Sequence, residues 1–248
     1  MKTQFFIPLL TTFLVLTPSI STGSQTPTNS MLFTPPPPPD VGEPGDRSQG
    51  GGTRSPKCEQ YEDVTALVPT VQTGDRQVRW GLTTRAHPVI WLSAPQGLIK
   101  GTPIEFVLRD DGDKIVERSV QTAVATVPGS VSFTTAVPLQ IGKTYRWIAS
   151  ITCDTEIPDV PLRVEGYIQR VAQPATSTSL TDPSQQAAAY ARAGIWYDAL
   201  AVLGKQYRQD HSPAIAAAWL KLLQQVNLDQ LPNTPIGACC SVEPQRDY

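Results

Sequence analysis

The hydrophobic pattern of this chain changes its period once, and that change limits the folds open to it. From residue 58 to 172, short apolar runs with period two alternate with turn signals such as Pro128-Gly129. From residue 182 to 231, apolar residues recur at helical spacing, and a Ser/Thr/Pro-rich linker at 173–181 separates the two regions. Short strands followed by helices predict an α+β chain, in which an N-terminal antiparallel immunoglobulin-like β-sandwich precedes a helical region.

One predicted strand carries a clear inside–outside pattern. Between Tyr145 and Cys153, every second residue counted from Tyr145 is apolar, aromatic or a cysteine, and Trp147 is among them, whereas Arg146 and Ser150 have the opposite parity. Alternate residues of a strand point to opposite faces of its sheet. We therefore expect Tyr145 and Trp147 to face the core and Cys153 to end the same row.

The helical region begins and turns at recognisable signals. Asp182 precedes Pro183 and Gln185, which is the pattern of a capped helix N-terminus, and Gly194 follows the first helix. A second helix is expected from about Trp196, and Ser212-Pro213 predicts the start of a third that ends near residue 227.

The first two predicted helices have the spacing of a single tetratricopeptide unit. The matching positions are Ala187, Tyr190, Gly194, Ala199 and Leu203. Such units need about three copies to be stable alone. We therefore expect a small tetratricopeptide-like hairpin plus one helix, packed on the β domain or on a partner, with a generic helical hairpin as the alternative.

The N-terminus has the features of a secretory signal over residues 1–24. Lys2 precedes an apolar run from Phe5 to Leu16, and Ser21 and Gly23 offer small residues for a signal peptidase. The apolar run is shorter than the roughly 20 residues that span a bilayer. We expect a periplasmic or secreted protein with no membrane span in the mature chain; an uncleaved membrane anchor is the alternative.

Residues 25–57 are predicted to form a disordered arm rich in proline and glycine. The arm contains a proline tract at 35–39 and a glycine tract at 50–52, with few apolar residues between them. Such a segment cannot bury enough surface to offset the entropy of ordering it. A spacer is the simplest interpretation, and a proline-rich docking ligand in extended polyproline II conformation is the alternative.

The candidate disulfide residues are Cys58, Cys153, Cys239 and Cys240, and export would let them pair. A bond between Cys58 and Cys153 would close a loop of about 95 residues. Alternatively, each of these two cysteines pairs with one of the two in the tail at 232–248. A bond between Cys239 and Cys240 would close a strained eight-membered ring, so we rank it last; such a bond would be labile and would give the tail a redox role.

Two groups of aromatic residues are candidate binding surfaces. Tyr190, Trp196, Tyr197 and Trp219 lie in the helical region and are the candidate surface for a protein partner. Trp80 and Trp91 lie on predicted strands and are candidates for stacking on a sugar, with core packing as the competing interpretation.

The sequence lacks the motifs of several enzyme classes. It contains no Gly-x-Ser-x-Gly, His-Glu-x-x-His, Gly-x-Gly-x-x-Gly or Cys-x-x-Cys pattern. The histidines His87 and His211 lie in predicted loops or strand edges, and the acidic residues near Asp110 fit a hairpin turn better than a calcium site. The net charge of −2 argues against nucleic-acid binding. We expect no enzymatic activity, no catalytic residue, no cofactor and no metal.

Several stretches of the chain together resemble a known family, the cyanobacterial exported proteins that carry the domain of unknown function 928. Besides the proline tract at 35–39, these stretches are Gly52-Thr53-Arg54, Thr65-Ala66-Leu67-Val68-Pro69, Gly81-Leu82-Thr83-Thr84, Ala86-His87-Pro88, Glu105-Phe106-Val107-Leu108, Gly142-Lys143-Thr144-Tyr145-Arg146-Trp147, Cys153-Asp154, Val164-Glu165-Gly166-Tyr167-Ile168 and Ala193-Gly194-Ile195-Trp196-Tyr197-Asp198-Ala199-Leu200. The resemblance covers residues 35–240 and implies an envelope or secreted protein. It supplies no catalytic residues.

These observations favour a non-enzymatic protein–protein interaction or assembly module of the cell envelope, with an unidentified envelope protein as its partner. The alternative is a carbohydrate-binding module of the cell wall or sheath, with a glycan as its ligand. The sequence leaves the oligomeric state open.

Overall fold

The computed structural model describes residue 1 and residues 31–38, 56–73, 76–153, 161–174, 180–228 and 236–242. In these parts of the chain the fold is α+β. A short 3₁₀ helix (Pro56–Tyr61) precedes the strands β1 (Thr65–Ala66), β2 (Thr70–Thr73), β3 (Arg76–Thr83), β4 (Val89–Ala94), β5 (Pro103–Arg109), β6 (Ile115–Ala123), β7 (Gly129–Thr134), β8 (Thr144–Ile151) and β9 (Leu162–Arg170). The helices are α1 (Pro183–Arg192), α2 (Trp196–Asp210) and α3 (Pro213–Gln224), and the short strands β10 (Ile236–Ala238) and β11 (Cys240–Val242) follow them.

The strands form two open sheets. One has the order β1-β4-β7-β10 and the other has the order β11-β6-β5-β8-β9-β3-β2. Most neighbouring strands are antiparallel, but β3 pairs with β9 and β7 pairs with β10 in parallel. The expectation of a wholly antiparallel arrangement is therefore corrected. Parallel neighbours need a long crossover connection, and in both pairs several other strands or helices lie between the two along the chain.

The two sheets share one apolar core. Phe106 on β5 meets Phe133 on β7 edge to face, with ring centroids 4.9 Å apart. Tyr145 and Trp147 of β8 are buried in the same core, which confirms the inward row predicted for that strand, although Ser150 of the opposite parity is buried as well. Cys153, just beyond β8, packs partly buried against this core.

The three helices begin where the sequence signals predicted, and α3 ends at Gln224, three residues before the predicted end near residue 227. The Asp182 side chain accepts a hydrogen bond from the backbone N–H of Gln185 at 2.7 Å and caps α1. Gly194, with φ 74°, forms the turn into α2. Helix α2 packs on the sheets through two glycines: Gly81 of β3 lies under the ring of Tyr197, and Gly204 of α2 lies against the indole of Trp91. A β-carbon at Gly204 would collide with the indole of Trp91, and one at Gly81 would lie 3.0 Å from the Tyr197 ring, a tight contact.

The structure pairs the cysteines in two disulfides. Cys58 in the 3₁₀ helix bonds Cys153, with Cα atoms 5.1 Å apart, so the start of the β domain is tied to the end of β8. Cys239 bonds its neighbour Cys240. The pairing that the sequence argument ranked last is thus the one the tail adopts, since the bond between Cys58 and Cys153 leaves the tail cysteines only each other.

Several predicted segments fall mainly outside the described residues. These are the signal at 1–24, most of the arm at 25–57, part of the linker at 173–181 and parts of the tail at 232–248. Among the described residues, none of the helices combines the length and hydropathy needed to cross a bilayer. Residues 31–38 of the predicted arm are described, and they pack against the helices.

Candidate peptide-binding site on the helical hairpin

Residues 31–38, called the arm segment below, lie against the turn between α1 and α2. Phe33 is the anchor: it is 7% exposed, and its ring meets the indole of Trp196 edge to face with centroids 4.9 Å apart. Aromatic pairs favour this geometry because the positive edge of one ring meets the negative face of the other. The composition of this stretch predicted disorder, so its packing on the hairpin departs from that expectation.

A backbone hydrogen bond fixes the arm segment at the C-terminal end of α1. The N–H of Thr34 donates to the carbonyl of Ala191 at 3.1 Å. The last carbonyls of a helix have no partner within the helix. Ala191 also accepts from the N–H of Gly194 at 3.0 Å, so the turn and the arm segment share this acceptor.

Gly194 makes room for the proline tract. Its φ of 74° lies in the left-handed region that favours glycine. A β-carbon at this position would lie 3.0 Å from the Cδ of Pro36 and 3.0 Å from the carbonyl oxygen of Thr34. The same residue therefore ends α1 and lets an extended proline-containing chain approach the turn closely.

The floor of the site is anchored to the β domain. The indole N–H of Trp196 donates to the carbonyl of Leu67 at 2.7 Å, and Trp196 is fully buried. Leu67, next to β1, in turn donates its N–H to the carbonyl of Trp91 on β4. The aromatic ring that receives Phe33 is thus held in place by the smaller sheet.

Asp198, two residues further along α2, ties the base of the hairpin to the loop after β3. Its buried carboxylate accepts hydrogen bonds from the Thr83 hydroxyl at 2.6 Å and from the Thr84 N–H at 3.0 Å. The Thr84 hydroxyl donates to it as well, and Arg85 lies 3.8 Å away through Nε. This buried charge is fully partnered, which is what the interior requires. Sequence reasoning missed this cluster, although Thr83-Thr84-Arg85 is polar at the end of a strand.

The four aromatic residues predicted as a partner surface are all buried, which corrects that expectation. Tyr197 accepts from the indole N–H of Trp147 at 2.8 Å and donates to the carbonyl of Tyr167 at 3.1 Å. Trp219 packs on Trp91 with centroids 5.0 Å apart. The hydroxyl of Tyr190 accepts from the side chain of Gln173 at 2.8 Å.

Among these four residues, Trp196 forms a ring contact with the arm segment, through Phe33. Helical spacing alone does not reveal which face of a helix turns towards the interior. The first turn of α2 is enclosed on several sides, so its aromatic residues are interior.

The proposed sugar-stacking pair is also interior. Trp80 is 1% exposed and Trp91 is 0% exposed. Trp80 packs with Val78 and Tyr167 in a small separate cluster, and Trp91 lies below the guanidinium of Arg208, 5.2 Å from the ring centroid. Neither indole offers a free face to a sugar, so this site assignment is corrected.

Polar residues considered for catalysis or metal binding have structural partners. The Asp110 carboxylate accepts from the N–H groups of Gly112 and Lys114, which builds the hairpin turn between β5 and β6. The ring of His87 is within hydrogen-bond distance of the Thr135 carbonyl, and His211 ends α2. Within the described ranges, no group of three or more His, Cys, Asp or Glu side chains is placed to hold a metal ion.

Comparison with known families places the chain. A family model described as Domain of Unknown Function (DUF928) matches residues 49–236. The chain belongs to the DUF928 family. No curated protein and no solved structure matches it.

The matched range divides the site into two parts. The DUF928 domain contains Ala191, Gly194 and Trp196, which receive the arm segment, whereas residues 31–38 lie before the matched range. The proline tract at 35–39, which contributed to the resemblance seen in the sequence, is likewise outside it. The candidate site is therefore a surface of the DUF928 domain filled by a segment that the family model does not include.

Proposed function

We propose that this DUF928 protein is an exported, non-enzymatic interaction module of the cyanobacterial envelope whose helical hairpin binds extended, proline-containing segments. One observation carries the proposal. Phe33 is seated on Trp196 while Thr34 donates to the end of α1. The hairpin therefore already receives an extended peptide, that of its own chain.

The contacts have the character of peptide recognition. The aromatic anchor supplies buried apolar area, the backbone hydrogen bond fixes the direction of the peptide, and Gly194 admits proline at the third position after the anchor. Proline-rich segments lose little entropy on binding because they are already extended. In this proposal α1 and α2 act as a tetratricopeptide-like hairpin, and an immunoglobulin-like sandwich is its rigid support.

The envelope partner would carry a similar segment, with an aromatic residue shortly before prolines. Residues 39–55 connect the arm segment to the domain and are rich in glycine and proline. A ligand that is tethered to its site within one chain has an effective concentration on the order of millimolar. The arm segment would then occupy the site until a partner segment with higher affinity, or higher local concentration, displaces it.

A peptide-binding measurement on the full chain tests this function. Phe33→Ala should release the arm segment, and a fluorescent peptide of residues 31–38 should then bind this variant, as read by anisotropy. The wild-type chain should bind the same peptide about tenfold more weakly or worse, because its own segment competes. Leu32→Ala is the matched control, since Leu32 is 52% exposed in the same segment.

Two altered peptides report on the mode of binding. A peptide with Phe33→Ala loses the aromatic anchor, and one with Thr34→Pro loses the N–H that donates to Ala191. Both should fail to bind the Phe33→Ala chain. If the unaltered peptide does not bind a folded Phe33→Ala chain, or if all three peptides bind equally, the proposed function is wrong.

A further inference from the structure

One short segment of the tail joins the edges of both sheets. Strand β10 runs parallel to β7, with Ala238 opposite Ser132, and β11 runs antiparallel to β6, with Cys240 opposite Ala123. A single residue, Cys239, lies between the two strands. The chain thus crosses from the four-stranded to the seven-stranded sheet at the single residue Cys239. We call this crossing the seam.

Cys239 is bonded to both sides of the seam. Its N–H donates to the carbonyl of Ser132 at 3.1 Å, and its carbonyl accepts from the N–H of Val124 at 3.2 Å. Its side chain is fully buried, whereas Cys240 is partly exposed. The disulfide between these two neighbours therefore has one protected sulfur and one that lies nearer to solvent. The bond between Cys58 and Cys153 also joins a buried and a partly buried cysteine, so the small ring that Cys239 and Cys240 close, and not their burial, distinguishes the tail disulfide.

An apolar cavity lies beside the seam. Its volume is about 410 Å³, and residues 124–127, Ser130, Val131 and Gly237 line it. Val124 and Val127 at its rim are 38% and 62% exposed. Val124 both lines the cavity and donates to Cys239, so a change in the backbone at Cys239 reaches the cavity wall directly.

We propose that Cys239 and Cys240 form a thiol–disulfide exchange site that responds to a dithiol reductant of the compartment to which the protein is exported. A thiolate of the reductant attacks the Sγ of Cys240, the disulfide breaks, and the Sγ of Cys239 leaves as a thiolate that takes up a proton. The second thiol of the reductant then attacks the reductant's other sulfur, the one bonded to Cys240 in the mixed disulfide, and Cys240 leaves as a thiol. The protein gains two electrons and two protons, and the reductant becomes a disulfide.

The two disulfides differ in what their reduction changes. The bond between Cys58 and Cys153 joins residues 95 apart in sequence, and it restricts the unfolded chain. The bond between Cys239 and Cys240 closes a ring that contains only the peptide unit between them, so its reduction opens no large loop. Reduction at the seam instead frees the backbone that holds β10, β11 and Val124 together, which leaves the rest of the fold in place.

Graded reduction of the full chain tests this site. The folded protein is incubated with increasing dithiothreitol, its thiols are alkylated, and each cysteine is quantified by mass spectrometry. Cys239 and Cys240 should be alkylated at about one tenth of the dithiothreitol concentration that exposes Cys58 and Cys153, or less. If all four react together, or if the tail cysteines are alkylated without reductant, the proposal is wrong.

A dithiol-specific probe and hydrogen exchange provide the second test. Phenylarsine oxide, whose arsenic bridges two neighbouring thiolates, should bind the chain after mild reduction and not before, and Cys240→Ser should abolish this binding. Hydrogen exchange should increase at Val124 and Cys239 on reduction, while β8 stays protected. Arsenical binding without reductant, or unchanged exchange at the seam, would overturn the assignment.

Discussion

The indole N–H of Trp147 donates to the hydroxyl of Tyr197 at 2.8 Å, in a region from which solvent is excluded. This bond links the centre of the larger sheet to the first turn of α2. The same hydroxyl donates to the Tyr167 carbonyl at 3.1 Å, and the Tyr197 ring lies on Gly81. The helical hairpin is thus joined to β3, β8 and β9 through one side chain, one residue away from the floor of the arm-segment site.

Removal of the Tyr197 hydroxyl should destabilise the protein without a change of shape. In Tyr197→Phe, the Trp147 N–H and the Tyr167 carbonyl lose their shared partner in the interior. Each unsatisfied buried group costs about 1–3 kcal/mol, so we expect a loss of about 2–4 kcal/mol in the free energy of unfolding. Urea denaturation measures it. Tyr190→Phe is the control and should lose less than about 1 kcal/mol, because Tyr190 bonds a partly exposed glutamine.

The stability of the protein should fall at alkaline pH through Tyr197. Burial raises the pKa of this phenol from its ordinary value of 10.0. A raised folded-state pKa means that the neutral form is favoured in the folded protein. The contribution of the Tyr197 phenol to the free energy of unfolding is complete below the unfolded-state pKa. It is lost as pH rises from there towards the folded-state pKa. Denaturation between pH 9 and 12 should therefore show a decline above about pH 10, and the decline should be weaker in Tyr197→Phe. An equal decline in both chains would contradict this.

The buried carboxylate of Asp198 should be sensitive to an isosteric change. In Asp198→Asn, the amide nitrogen cannot accept the hydrogen bonds that Thr83 or Thr84 donates, and the charge that faces Arg85 is lost. We expect a loss of about 2–4 kcal/mol in the free energy of unfolding by urea denaturation. Asp182→Asn is a matched control, because asparagine also caps a helix and this site is exposed. Similar losses in the two variants would show that the cluster around Asp198 adds nothing beyond a helix cap.

The features that could be predicted from the sequence are those that neighbouring residues determine, such as the inward row of a strand and the ends of a helix. Strand β8 was recognised because its apolar residues alternate, and α1 was bounded by Asp182 and Gly194 because caps act within a few residues. Long-range relations were not predictable in this way. The place of the arm segment depends on Trp196, which is distant along the chain, and its proline content alone indicates disorder.

The tail strands and the buried aromatic residues also depend on contacts between parts of the chain that are distant in sequence. Strands β10 and β11 have only three residues each, too short for a clear pattern, and their pairing with β7 and β6 depends on edges that only the folded sheets provide. Helical spacing places Trp196 and Tyr197 on a helix, but it does not reveal that both sides of the first turn of α2 are enclosed. The candidate partner surface was therefore predicted on residues that the fold uses internally.

Loss of the disulfide between Cys58 and Cys153 should lower stability far more than loss of the tail disulfide. The chain-entropy model gives about 4–5 kcal/mol for a closed loop of this size. Cys58→Ala together with Cys153→Ala should approach this loss in the free energy of unfolding, measured in urea without reductant. Cys239→Ser together with Cys240→Ser is the matched control and should lose much less, since its ring restrains one peptide unit. Equal losses would indicate that the tail disulfide stabilises the whole fold.

Substitution of Gly194 should release the arm segment from the hairpin. In Gly194→Ala, a left-handed residue gains a β-carbon at a cost of about 1–2 kcal/mol, and that atom meets Pro36 and the Thr34 carbonyl at 3.0 Å. We expect faster hydrogen exchange at the Thr34 amide and earlier proteolysis within residues 31–38. Gly101→Ala is the control, because Gly101 also has a positive φ and its β-carbon would meet no atom within 4 Å. If both variants leave the exchange of Thr34 unchanged, close approach at Gly194 does not hold the segment in place.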